Sequence, residues 1–169
     1  DNQKNFPELV DIWSLIAKDY SDWKLRIVGD GYVDVRILQR VKEYGLEAQF
    51  ELCPSTPHIQ KHYLSASIFA LSSVFEGLPL VTIEAESMGL PLVSYACPCG
   101  PRDVIRDGQD GFLVEPGDKE TFAARLRQLI EDEELRRRMG QAAKINSQRF
   151  SLENVMKQWV DLFAELTAE

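Results

Sequence analysis

The chain has 169 residues, 44% hydrophobic and 27% charged, the make-up of one ordinary globular domain rather than a disordered, collagen-like or coiled-coil chain. Nineteen Lys and Arg against 27 Asp and Glu leave a formal charge of −8, which argues against a nucleic-acid surface but allows a local cationic spot for one small anion. Cys53, Cys97 and Cys99 make an odd set without a C-x-x-C, so reduced thiols are expected rather than a disulfide scaffold or a structural zinc site. No charged-then-apolar leader opens the sequence, and no apolar run nears the roughly 18 residues that span a bilayer. The expectation is a soluble, cytoplasmic protein.

In chain order, Asn5–Lys18 carries Phe6, Leu9, Ile12, Trp13, Ile16 and Ala17 at helical spacing. Lys24–Val28 reads as a strand closed by Gly29-Asp30-Gly31. Val33–Tyr44 reads as a helix stopped by Gly45, and Ala48–Leu52 as a strand cut off by Pro54. Ile59–Ser65 is a short helix, Ile68–Leu71 an all-apolar strand, Leu80–Met88 a helix and Pro91–Tyr95 a strand. Pro101–Ile105 is one helical turn, Gly111–Val114 a strand, and Asp118–Glu131 and Glu133–Gln148 are helices. Ser151 caps a last helix, whose Leu152, Val155, Met156, Trp159, Leu162, Phe163 and Leu166 form one broad apolar stripe. That stripe either closes its own domain or faces a surface outside this sequence.

Strands that are nearly all apolar, alternating with helices, predict an α/β fold: a doubly wound, Rossmann-like parallel sheet with helices on both faces. Ligands in such folds sit beyond the carboxyl ends of the strands. The sequence enters its first helix from Asp1–Lys4 without an opening strand, and a first strand is therefore expected to be missing from a domain over 1–150.

The densest chemistry lies in SSVFEGLPLVTIEAESMG, residues 72–89. Gly77 permits a turn that aims main-chain N–H groups outward, and Pro79 suits the first helical position. The following helix N-terminus offers unpaired donors and a positive dipole end to an anion. Glu84 stands about 6 Å further along the axis at ~1.5 Å per residue, close to the separation of a diphosphate from its ribose. A carboxylate there can accept two charge-assisted hydrogen bonds from vicinal hydroxyls. Glu76, on the loop side of the same phosphate, can meet its other substituent. By themselves, two glutamates eight apart read more readily as a surface carboxylate and a helix-dipole partner; the residues around them change that.

This E-x7-E pair within EGLPLVTIEAESMGLPLVSY resembles the signature of retaining glycosyltransferases of the family 4 type, which have the GT-B fold. LRIVGDG (25–31), GPRDVIRDGQDGFLVEPGD (100–118) and RFS (149–151) extend the resemblance over essentially the whole chain, to that family's C-terminal donor-binding domain. CPCGPRDVI (97–105) resembles the branch that builds bacterial surface polysaccharides. The resemblance implies that Glu84 holds the donor's ribose and that Glu76 contacts and orients the transferred hexose. It also implies that Gly77, Leu78 and Leu80 lend main-chain N–H groups to sugar and pyrophosphate. Lys4 would neutralise the pyrophosphate in place of a metal ion. Cys53 and Pro54 would meet the base, and Gly29 and Gly31 would line the cleft floor. No cofactor and no metal are implied, and no D-x-D motif is present.

The implied partners are a nucleotide diphosphate-sugar, with uridine the expected base, and a glycan or lipid-linked acceptor held by a separate N-terminal domain. The helix over 151–169 would run back to that domain, could mediate self-association without it, and the whole enzyme could lie peripherally on the membrane. A fragment of this kind is expected to be inactive alone. Other readings remain: an epimerase of the same architecture, or a non-catalytic nucleotide-sugar-binding module. Among smaller signals, Gly29, Gly31 and Asp34 with Glu51 approach a dinucleotide fingerprint but lack its third glycine. His58 and His62 have the i, i+4 spacing of metal ligands but no third partner nearby. Arg102 is placed either to face the donor sugar or acceptor, or to pair with Asp103 or Asp107.

Overall fold

The computed structural model describes residues 3–29 and 35–167. Helix α1 (Phe6–Ser14) leads through a 3-10 turn at Ala17–Asp19 into strand β1 (Leu25–Val28). Helix α2 (Val35–Glu43) and a second 3-10 turn at Glu47–Gln49 lead to β2 (Phe50–Cys53) and the short α3 (Gln60–Leu64). Then follow β3 (Phe69–Leu71), α4 (Leu80–Ser87), β4 (Leu92–Tyr95), the single turn α5 (Pro101–Val104) and β5 (Gly111–Val114). Helices α6 (Lys119–Glu131), α7 (Glu133–Ser147) and α8 (Leu152–Leu166) complete the chain.

The expected strand–helix alternation is present throughout, with local shifts. The first helix stops at Ser14 rather than Lys18, because the N–H groups of Leu15 and Ile16 close onto carbonyls only three residues back. The second strand begins at Phe50 rather than Ala48, since Glu47–Gln49 still wind as a 3-10 turn. Pro79 is the residue before the first helical turn of α4 rather than within it.

All strand pairings are parallel. β1 pairs with β2 in the register Leu25 to Phe50 and Val28 to Cys53, and β3–β4–β5 form a second ladder. The one sheet expected is thus two ladders among the described residues, held together by side chains. Leu9, Val10, Ile12, Trp13 and Ile16 of the α1 segment belong to one buried cluster with Ile27 of β1, Val93 and Tyr95 of β4, and Phe112 and Val114 of β5. Leu92 of β4 instead joins Tyr63 of α3, Ala85 of α4 and Ala143 of α7. Neighbouring residues of β4 thus serve opposite cores, which places helices on both faces. Burial at roughly 25 cal/mol per Å2 of apolar surface makes these two clusters the main favourable term in the fold.

Helix α8 departs from this pattern. Ser151 accepts from the Asn154 N–H as expected, yet none of the helix's residues is buried. Trp159 and Phe163 stack at 5.8 Å on its open face. No helix among the described residues is long and apolar enough to cross a membrane.

Candidate active site

The segment entering α1 is pinned against the loop that follows β3. Val74 N–H donates to the Gln3 carbonyl at 2.9 Å, and buried Ser72 donates through Oγ to the Lys4 carbonyl at 2.8 Å. Asn5 takes a left-handed backbone (φ 50°) just before α1, and its side chain donates to Glu8. Glu8 in turn accepts from Tyr95 Oη at 2.6 Å, and burial together with this carboxylate holds the phenol's pKa above its ordinary range. With its backbone fixed this way, Lys4 brings Nζ to 2.6 Å from Glu76 Oε1, across 72 residues of sequence. The Glu76 side chain is only 7% exposed and that of Lys4 34%. Neither charge stands unpaired in the partly buried site, as desolvation requires.

Beyond Glu76, the chain turns through exposed Gly77 and Leu78 and buried Pro79 into α4, whose first residue Leu80 is exposed. The first N–H claimed there is that of Thr82, by the Pro79 carbonyl at 2.9 Å. Those of Gly77, Leu78 and Leu80 donate to no carbonyl among the described residues, as expected of a helix tip. The turn is braced by Gly100, where φ is +73° and an added Cβ would lie 2.5 Å from the Gly77 carbonyl oxygen and 2.7 Å from Pro79 Cδ. Only glycine fits there, for conformation and for space.

Glu84 lies one turn into α4 with its carboxylate exposed, as ligand binding needs, but not loose. Tyr63 Oη donates to its Oε2 at 2.9 Å. Two residues on, Glu86 is fully buried. Asn146 Nδ2 donates to its two oxygens at 3.2 and 3.4 Å and to the Val104 carbonyl at 2.8 Å. Burial, reinforced by the nearby Asp110 charge, pushes the Glu86 carboxyl up to about 7, against the opposing pull of Asn146, Arg149 and Arg106. Sequence reading missed Tyr63 and Glu86 because their partners lie on other elements.

Other expected residues are placed differently. Arg102 pairs with neither Asp103 nor Asp107: Nη2 binds Glu115 at 2.9 Å and Nε donates to the Ala96 carbonyl at 3.2 Å. Asp103 and Asp107 are engaged with the N–H groups of Gly100 and Leu113 instead. Cys53 is the last residue of β2 rather than part of the loop, and its carbonyl accepts from Gly29 N–H at 3.0 Å. Pro54 and Gly29 are exposed, while Gly31 and Asp34 lie outside the described residues. Glu51 cannot serve as a free ribose acid of a dinucleotide site. It is gripped by Lys24 at 2.9 Å and Arg26 at 2.8 Å, whose hydrogen bonds hold its carboxyl below the usual range. His58 precedes α3 while His62 lies within it, and among the described residues no group of three His, Cys, Asp or Glu could hold a metal ion. A polar cavity of about 300 Å3 lies beside Asn5, but its charges are matched internally: Arg40 and Lys119 both bind Asp11, at 2.6 and 3.3 Å.

The described geometry can be set beside known proteins. The family described as Glycosyl transferases group 1 matches residues 1–146. The chain belongs to this family. Among glycosyl transferases group 1 relatives, the amylovoran biosynthesis glycosyltransferase AmsD of Erwinia amylovora is 41% identical over 160 residues, covering 95% of this chain and 44% of that protein. An uncharacterized glycosyltransferase of Haemophilus influenzae is 34% identical over 156 residues, covering 92% of this chain and 44% of that protein. The chain thus spans less than half the length of either relative. A crystal structure of a Staphylococcus aureus TarM variant in complex with fondaparinux, alpha-GlcNAc-glycerol and UDP has a TM-score of 0.88 at 28% identity, over 95% of this chain and 33% of that one. The α/β architecture expected from the resemblance, one half of a GT-B fold, is the fold this family member has.

Proposed function

We propose that this chain is the donor-binding half of a retaining glycosyltransferase that moves a hexose from UDP to a glycan or lipid-linked acceptor in surface polysaccharide synthesis. The observation that carries the reading is the Lys4–Glu76 pair at 2.6 Å, set at the turn into α4 with Glu84 one helical turn beyond. A diphosphate at the tip of α4 meets the N–H groups of Gly77, Leu78 and Leu80 and competes with Glu76 for the Lys4 ammonium. Freed of that partner, Glu76 accepts hydrogen bonds from hydroxyls of the hexose and orients it. Glu84 takes the ribose diol. As the anomeric carbon–phosphate bond breaks, negative charge grows on the departing diphosphate. Lys4 and the helix dipole stabilise it without reorganising, while the acceptor oxygen bonds to the same face of that carbon and passes its proton to the departing phosphate oxygen.

The remainder of the protein would hold the acceptor and cover α8. The reaction would run in the cytoplasm, at the inner face of the membrane where the acceptor is lipid-linked. The TarM complex supports uridine diphosphate as the nucleotide, and AmsD supports a polysaccharide product.

Calorimetric titration with UDP tests the reading. Glu84→Ala is expected to weaken binding by ~1.5–3 kcal/mol through loss of charge-assisted hydrogen bonds, and equal affinity for both proteins would refute the ribose assignment. A screen of nucleotide sugars against the intact protein, read by product mass, then identifies the sugar. Turnover without any acceptor would favour an epimerase, and failure to bind any nucleotide a non-catalytic module.

A further inference from the structure

Tyr63 stands near the end of α3, a five-residue helix. Its ring is 7% exposed and packs against Phe69 of β3 with centroids 6.1 Å apart. A buried phenol needs an acceptor. This one reaches across to α4 and donates to Glu84 Oε2 at 2.9 Å, although Glu84 is otherwise open to solvent. Burial first, and the neighbouring carboxylate second, push the hydroxyl's pKa above its ordinary value, so the group keeps its proton and remains a donor. A long exposed glutamate samples several rotamers, and ordering one of them opposes ligand binding. The fixed ring of Tyr63 removes most of that freedom before a ligand arrives.

We infer that Tyr63 is a positioning residue, holding the Glu84 carboxylate by Oε2 so that Oε1 is presented to the vicinal diol of the ligand's pentose. The inference rests on the proposed role of Glu84 in gripping ribose. Tyr63 touches no ligand and acts only through the carboxylate.

The test is calorimetric titration of the intact protein, wild type and Tyr63→Phe, with UDP and with 2′,3′-dideoxy-UDP, which lacks the diol. The wild type is expected to prefer UDP by about tenfold or more, the scale of a charge-assisted hydrogen bond. Tyr63→Phe keeps the ring on Phe69 and is expected to weaken UDP about fivefold while leaving the dideoxy nucleotide unchanged. In a Glu84→Ala background the same substitution is expected to add nothing. Unchanged UDP affinity in Tyr63→Phe, in a protein that still discriminates the two nucleotides, overturns the positioning role alone. Equal weakening of both nucleotides shows a merely structural tyrosine and also overturns it. A wild type that binds both nucleotides equally refutes the ribose role of Glu84, and the Tyr63 inference falls with it.

Discussion

Glu76 and Lys4 are paired at 2.6 Å, and in the proposed function each acts through the other. A carboxylate with a 7% exposed side chain would be costly without a cation, which Lys4 supplies; in the proposed reaction a diphosphate takes over that cation. Glu76→Gln removes the pairing charge but keeps the shape. In the intact enzyme it is expected to lower kcat about a hundredfold, the usual scale for losing one preorganised polar group, with a smaller effect on donor KM. An unchanged kcat in steady-state assays would take Glu76 out of the chemistry. The two glutamates stood out as candidates only through the motif around them, since a spacing of eight by itself reads as a surface carboxylate and a helix-dipole partner. Lys4 was legible only by resemblance, since nothing near Asn5 signals that the segment will be tied to Val74 and Ser72 across some seventy residues. Tyr63 was illegible for the same reason: an aromatic residue on a short helix reads as core until its hydroxyl is seen to reach another element.

Between elements, α7 packs closely against α4 and the turn that ends it. A Cβ at Gly140 would lie 2.1 Å from the Gly89 carbonyl oxygen, so α7 approaches the end of α4 as closely as backbone allows. Glu86 is sealed into this junction with Asn146, beside Asp110, Arg149 and Arg106. Its folded-state pKa of about 7 lies above the ordinary carboxyl value, so the fold holds this proton more tightly than the unfolded chain does. Stability from this group is therefore complete below the ordinary carboxyl range and declines as pH rises towards about 7. Glu86→Gln is expected to stabilise the protein relative to wild type at pH 8, by ~2 kcal/mol, and much less at pH 5. Thermal melts at the two pH values measure this, and a difference independent of pH would contradict it. The elements themselves were legible from apolar runs and their stops, β5 to the residue. Their errors fell where chain ends tighten into 3-10 turns at Ala17–Asp19 and Glu47–Gln49, a choice made by neighbours rather than by local sequence.

For the whole molecule, α1 is the member that binds the two ladders into one body, and α8 is the member whose apolar face stays open among the described residues. Leu152, Trp159, Val160, Phe163 and Leu166 are all at least half exposed, an apolar stripe larger than a lone domain ordinarily leaves open. The 169-residue chain prepared alone is expected to self-associate with rising concentration in sedimentation experiments, and Trp159→Glu with Phe163→Glu to abolish this. A monomer at all concentrations would show that the stripe tolerates water. The sequence displayed that stripe clearly but not its destination, because amphipathic spacing records that a face will be covered and not by what. The split into two ladders was hidden altogether, since strands announce themselves singly and hydrogen-bonding neighbours do not.

Gly100 sets the 97–103 loop directly against the turn into α4. Cys99 and Gly100 both adopt left-handed backbone, and Gly100 rests on the Gly77 carbonyl with no space for even one carbon between them. A side chain at position 100 would therefore have to push the turn into α4 away from the 97–103 loop. In the proposed function, displacing that turn would carry the Gly77 and Leu78 N–H groups away from the diphosphate.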